Sequence, residues 1–212
     1  MPKRRRTEPA SAPSPTTDGR LVPVATAYAS IDGYTLARDA KRAQREKGTF
    51  LDGLTYGEVR PEAFATALAW VAPVKGESFV DLGSGTGIAT LTAAALYPLA
   101  SATGVEIMRP LHEAARRALA ACREELLAEE VRLLCADALA HPWTDCDIVF
   151  VTLTCFTDEQ AEAVRTGAER LRVGARIIVT SRALESDSLR LLRRDSLPYG
   201  KGSLLFLAYE RV

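Results

Sequence analysis

The sequence predicts an α/β protein: a doubly wound, mostly parallel sheet with a C-terminal antiparallel hairpin and a short helical N-terminal appendage. Three observations predict it. Residues 79–87, Phe-Val-Asp-Leu-Gly-Ser-Gly-Thr-Gly, read as buried strand, glycine turn and helix start, the shape of a first β-α crossover. Short apolar runs at 102–107, 131–135, 147–152 and 175–181 then alternate with helical stretches at 109–129 and 158–172. Two further apolar runs, 189–197 and 204–209, flank Pro198-Tyr-Gly-Lys-Gly202 as a closing hairpin.

Taken in order, residues 1–22 read as a disordered tail. Pro2, Pro9, Pro13 and Pro15 sit among Ser, Thr and Ala, with almost no large apolar residue. Lys3, Arg4, Arg5 and Arg6 form a compact basic run. It fits a nuclear address or a nucleic-acid tether as well as it fits a solvated tail. Residues 23–60 read as the helical appendage followed by a loop. Leu36, Ala40 and Ala43 share one helix face, with Arg38, Lys41, Arg42, Arg45 and Lys47 elsewhere, and Gly48 is a stop signal. Such a basic helix suits an acidic partner or open solvent. Residues 61–212 form the main domain. Pro61 fits the first turn of a helix carrying Phe64, Leu68 and Val71. In the stretch 109–129 the apolar face includes Leu111, Ala114, Ala115, Ala118, Leu119, Cys122 and Leu126. Asp158 can cap the next helix, and Gly174 ends it.

Bulk properties narrow the function. The 212 residues are 47% hydrophobic, enough for one core, and 27 basic side chains balance 27 acidic ones. A neutral chain is not a generic polyanion binder. No apolar run approaches a membrane span, and no secretory h-region opens the chain. Cys122, Cys135, Cys146 and Cys155 form no C-x-x-C pair, and His112 and His141 lie far apart. A zinc site is not expected, and reduced thiols are.

The glycine turn carries the chemistry. A dinucleotide fingerprint would read G-x-G-x-x-G and cradle a pyrophosphate. Here Asp81 stands two residues before Gly83, and a carboxylate there would repel a pyrophosphate. It suits a ligand with a cationic end, such as the amino group and sulfonium of S-adenosylmethionine. Glu106 follows the next strand, about 20 residues after Gly87, where an acidic residue holds ribose hydroxyls.

Together with Thr55-Tyr-Gly-Glu58, Gly104-Val-Glu-Ile107, Asp147-Ile-Val-Phe-Val151 and Thr154-Cys-Phe156, this turn resembles the DOT (disruptor of telomeric silencing) family. These are histone-lysine methyltransferases that lack a SET domain. The resemblance spans about residues 50–182 and implies a class I methyltransferase (Rossmann-like) fold with S-adenosylmethionine as cofactor. It also implies roles. Tyr56 and Glu58 would sit in a loop covering the methionine end of the cofactor. Asp81, Gly83, Ser84, Gly85 and Gly87 would form the cofactor turn, Glu106 would hold the ribose, and Asp137 would meet the adenine. Tyr56, Glu58, Thr152 and Phe156 would make the catalytic edge, with Tyr56 and Phe156 as candidate channel walls.

The sequence departs from the family where Asn-Asn-Phe follows the fourth strand in the histone enzymes. Thr152, Leu153 and Thr154 stand here instead, and Ala138 replaces a larger residue beside the adenine. The expected acceptor is a protein lysine, with nucleosomal histone as the family's case. Another protein, a small amine, or cofactor binding without turnover are the alternatives. A nuclear or cytoplasmic monomer, with weak nucleic-acid contact through Lys3–Arg6 and none with membranes, completes the expectation.

Overall fold

The structure, a computed structural model, describes residues 19–46, 56–199 and 202–212. The basic run at 3–6 and loop residues 47–55 lie outside the described residues. Seven strands form one sheet: β1 (Ser78–Leu82), β2 (Ser101–Val105), β3 (Glu130–Leu134), β4 (Ile148–Thr152), β5 (Arg176–Thr180), β6 (Leu189–Tyr199) and β7 (Gly202–Arg211). Their order is β3-β2-β1-β4-β5-β7-β6. The first five run parallel, and β7 is antiparallel to both β5 and β6. The described helices are α1 (Leu21–Ala27), α2 (Gly33–Glu46), α3 (Pro61–Ala69), α4 (Ile88–Leu96), α5 (Arg109–Cys122) and α6 (Asp158–Ala168).

Alternate strand residues feed two cores, because successive side chains leave a strand on opposite faces. Phe79, Phe150, Ile178 and Phe206 pack under α3 and α4. Val80, Val149, Val151 and Ile177 pack under α6. Phe64 of α3 centres the first core, with ring centroids 6.0 Å from Phe79 and 4.7 Å from Phe150. It is fully buried, so Phe64→Ala should cost about 3–5 kcal/mol in urea unfolding. A loss below about 1 kcal/mol would show a core that collapses around the gap.

Four elements differ from expectation. α1 begins at Leu21, inside the stretch expected as tail, because Leu21 and Val24 bury together. Val24 packs on Leu91, Ala118 and Cys122. α5 ends at Cys122, and a single 3-10 turn (Arg123–Glu125) replaces the expected continuation. There the chain must turn back to the sheet, and the Leu127 and Ala128 N–H groups donate to the Ala94 carbonyl. The cap of α6 is Thr157, not Asp158: its hydroxyl accepts from Gln160 N–H while the Gln160 side chain accepts from Thr157 N–H. Asp158 instead pairs with Arg182 at 2.6 Å. Finally, β6 runs on through Pro198 to Tyr199. An edge strand tolerates proline because its outward N–H has no ladder partner to lose.

Candidate functional site

β1 lies between β2 and β4, where the winding of the sheet reverses, so a crevice opens beyond its C-terminal end. The glycine turn fills the floor of that crevice. The N–H groups of Gly83 and Ser84 both donate to the Val105 carbonyl at 2.9 Å, tying the turn to β2. Gly85 has a φ of +56°, a conformation that costs a side-chain-bearing residue steric energy. Gly87, at the start of α4, packs toward Ala115 and the Tyr28 hydroxyl.

Two buried acids flank the turn. Asp81 is 2% exposed and accepts a hydrogen bond from the Thr90 hydroxyl at 2.9 Å. Burial pushes its carboxyl up to about 7; the Thr90 hydrogen bond opposes the rise and the Glu106 charge adds to it. Glu106 is also buried, and burial raises its carboxyl against the pull of its backbone donors. Its two oxygens accept from Gly85 N–H at 2.8 Å and Met108 N–H at 2.7 Å. Glu106 therefore shapes the turn directly, a task the sequence did not reveal. With two oxygens and about four lone-pair sites, the carboxylate keeps acceptor capacity for a ligand beyond these backbone donors.

The covering loop meets this floor through hydroxyl groups. The Tyr56 hydroxyl donates to Glu58 Oε1. The Thr86 hydroxyl donates to the same oxygen at 3.0 Å. Burial, then the Glu58 charge and hydrogen bond, hold the Tyr56 phenol far above the ordinary range, so it stays a donor. Tyr34 of α2 stands edge-on to Tyr56 at 5.4 Å, and Tyr28 donates to the Thr86 carbonyl at 2.6 Å. Thus two tyrosines of the N-terminal appendage, Tyr28 at the end of α1 and Tyr34 in α2, brace the site. Thr86 lies inside the glycine motif and Thr90 in the first turn of α4 that follows it. Their signal was a hydroxyl set one and five residues beyond Gly85.

One cavity of about 330 Å³ collects these groups. Tyr56, Glu58, Asp81, Gly83, Ser84, Gly85, Glu106, Asp137, Thr152 and Phe156 all stand on its wall. Gly87 does not; its backbone starts α4, and its missing side chain lets α5 approach. Asp137 is exposed, and its carboxylate accepts from Leu139 N–H at 2.9 Å, holding the turn after β3. Met108, Leu111, Ala138 and Leu139 add an apolar end. Thr154 is exposed, and its hydroxyl hydrogen-bonds to that of Ser181 rather than reaching the cavity. No group of three or more metal-ligating side chains occurs among the described residues.

The donor set fits S-adenosylmethionine. The volume falls in the roughly 300–1,000 Å³ range of small-molecule sites. Carboxylates at Asp81 and Glu58 match a cationic end, Glu106 offers acceptors to a diol, and the apolar end offers a surface for a flat ring.

Comparison with solved structures identifies the fold. TrmN from Thermus thermophilus superposes with a TM-score of 0.60 at 18% identity over 76% of this chain. The chain spans about half of TrmN, 51% of its length. An RNA methyltransferase from Salinibacter ruber in complex with S-adenosyl-L-homocysteine gives 0.58 at 16% identity, covering 73% of this chain and 93% of that one. The magnesium protoporphyrin IX methyltransferase ChlM from Synechocystis PCC 6803, with bound S-adenosylmethionine, gives 0.56 at 17% identity, covering 87% and 99%. The fold is that of the Rossmann-like, S-adenosylmethionine-dependent methyltransferases. Residues 49–197 match the family described as "Histone methylation protein DOT1", and the chain belongs to that family. S-adenosylmethionine is its cofactor. Among curated proteins, no relative matches the chain.

Proposed function

We propose that this chain methylates a lysine ε-amine of a protein, with a histone as the leading acceptor and the nucleus as its place of action. One observation carries the proposal. The Tyr56-Gly57-Glu58 loop, part of the resemblance to the histone-lysine enzymes, closes onto the glycine turn through the Thr86 hydroxyl and lines the same cavity as Asp81 and Glu106.

The roles of the side chains follow from their chemistry. Asp81 and Glu58 balance the positive end of the cofactor, Glu106 receives the ribose, and Asp137 lies at the adenine end. When bound, S-adenosylmethionine supplies an electrophilic methyl whose leaving group departs neutral, so the protein's task is alignment. Tyr56 and Phe156 wall the approach to that point. An amine between two aromatic rings is desolvated, which favours the neutral, nucleophilic form of a lysine. Glu58 already accepts from two hydroxyls. That makes loop closure its first duty and handling of the acceptor proton a lesser one.

Glu58→Gln should lower turnover on the order of 100-fold, the size expected of a misplaced reacting geometry, with little change in melting temperature. Parental activity in the variant would show that the covering loop is misassigned. The acceptor itself is tested by transferring radiolabelled methyl to core histones, nucleosomes and a cell lysate. Label on histone supports the proposal. A second reading, a non-histone lysine or small amine, is favoured by Thr152-Leu153-Thr154 in place of the asparagines, with Leu153 buried and Thr154 tied to Ser181. Label on another acceptor, with histones unlabelled, would establish that reading instead.

A further inference from the structure

The covering loop is held from two sides, and the outer side belongs to the C-terminal hairpin. Inside, Tyr56 lies against the glycine turn: a Cβ on Gly85 would stand 2.8 Å from its ring. Outside, Val59 forms an antiparallel bridge with Tyr199, the last residue of β6. The Tyr199 ring lies over Gly57. A Cβ there would stand 2.8 Å from Tyr199 Cζ and 3.2 Å from Cε1, with the hydroxyl oxygen closer still. The backbone of Gly57 is not in the left-handed region, so conformation does not demand glycine. Space does. The ring that takes this space is itself anchored, because Tyr199 packs against the core cluster containing Val59 and Leu197. Gly57, Glu58 and Val59 all line the cofactor cavity, whereas Tyr199 does not.

We infer that Tyr199 is a positioning residue. It clamps the Gly57–Val59 segment over the cavity from outside, and Gly57 is glycine to admit it. The hairpin, far from the cofactor turn in sequence, thereby sets the height of the loop that carries Glu58. The functional side of this inference rests on the S-adenosylmethionine reading; the mechanical side does not.

The test uses the full chain with Gly57→Ala, Tyr199→Ala and the double variant. Affinity for S-adenosylmethionine is measured by calorimetry, and amide hydrogen exchange is followed at residues 56–59. Gly57→Ala alone should weaken binding about tenfold or more, as a displaced loop would. In the Tyr199→Ala background the same substitution should cost less than about twofold, because the space is then free. Such strong coupling supports the clamp. Fold-changes that multiply independently overturn it, as does a silent Gly57→Ala. Should Tyr199→Ala fail to fold, Tyr199→Val keeps the strand preference and removes the ring. If the parent binds no S-adenosylmethionine, the cofactor reading falls, and exchange still decides the clamp. Faster exchange at 57–59 without the Tyr199 ring upholds it, and unchanged exchange refutes it.

Discussion

Replacing Asp81 with Asn should raise the stability of the ligand-free protein at pH 8 while lowering its affinity for S-adenosylmethionine about 100-fold. Both effects come from one buried carboxyl. Burial, which disfavours the anion, pushes it in the folded state from the ordinary aspartate value of about 3.8 up to about 7. Between those two pH values the native state binds the extra proton, so native stability falls as pH rises. The contribution is fully present below pH about 3.8 and is lost as pH climbs through about 7. At about 1.36 kcal/mol per unit, the interval amounts to roughly 4 kcal/mol. Glu106, raised in the same direction, adds to the slope. Asn has nothing to ionise, so urea unfolding of the variant should show a flatter pH profile. Binding runs the other way. A cationic ligand favours the carboxylate, so parental affinity should rise as pH passes 7 and then level off, with proton release. The variant should show neither feature. A variant that binds as the parent does would remove Asp81 from the site.

Gly85→Val should abolish detectable binding while leaving the sheet intact. A β-branched residue at a φ of +56° is strained by about 1–3 kcal/mol. The new Cβ would also stand 2.8 Å from the Tyr56 ring. Neither penalty reaches the core under α3 or α6, so circular dichroism should report a folded, somewhat less stable protein. The damage falls on the covering loop: Tyr56 must swing out, and Glu58 loses its bond to Thr86. This cause differs from the simplest expectation, in which a side chain at Gly85 blocks the ligand itself. Hydrogen exchange at residues 56–59 separates the two. Fast exchange places the fault in the loop; parental exchange with lost binding places it in the ligand's path.

Those two positions show what a sequence can disclose. The strand, the turn, Asp81 and Glu106 were legible because their signals are local: a buried apolar run, glycines, and acids at set distances. The parallel sheet followed from alternation of strands and helices. The partners of these groups were not legible, because tertiary contact chooses them. Nothing near Tyr28, Tyr34 or Tyr199 in sequence says that they reach Thr86, Tyr56 and Gly57. α1 escaped because its only pattern is Leu21 and Val24 around a proline, and burial against α4 and α5 makes it stable. Gly87 reads like its two neighbours in the motif, yet its space is filled by Ala115 of another helix. The cap of α6 turned on one residue, since Thr157 and Asp158 are both good caps and only Thr157 has Gln160 three residues on.

The central claim is that the buried acids and the glycine turn hold S-adenosylmethionine. Calorimetric titration of the purified chain with this ligand tests it most directly. One saturable site is expected, together with a melting shift. At a hundredfold excess over Kd the added stability is about 2.7 kcal/mol, or roughly 5–10 °C for a chain of this size. No heat and no shift at millimolar ligand would contradict it.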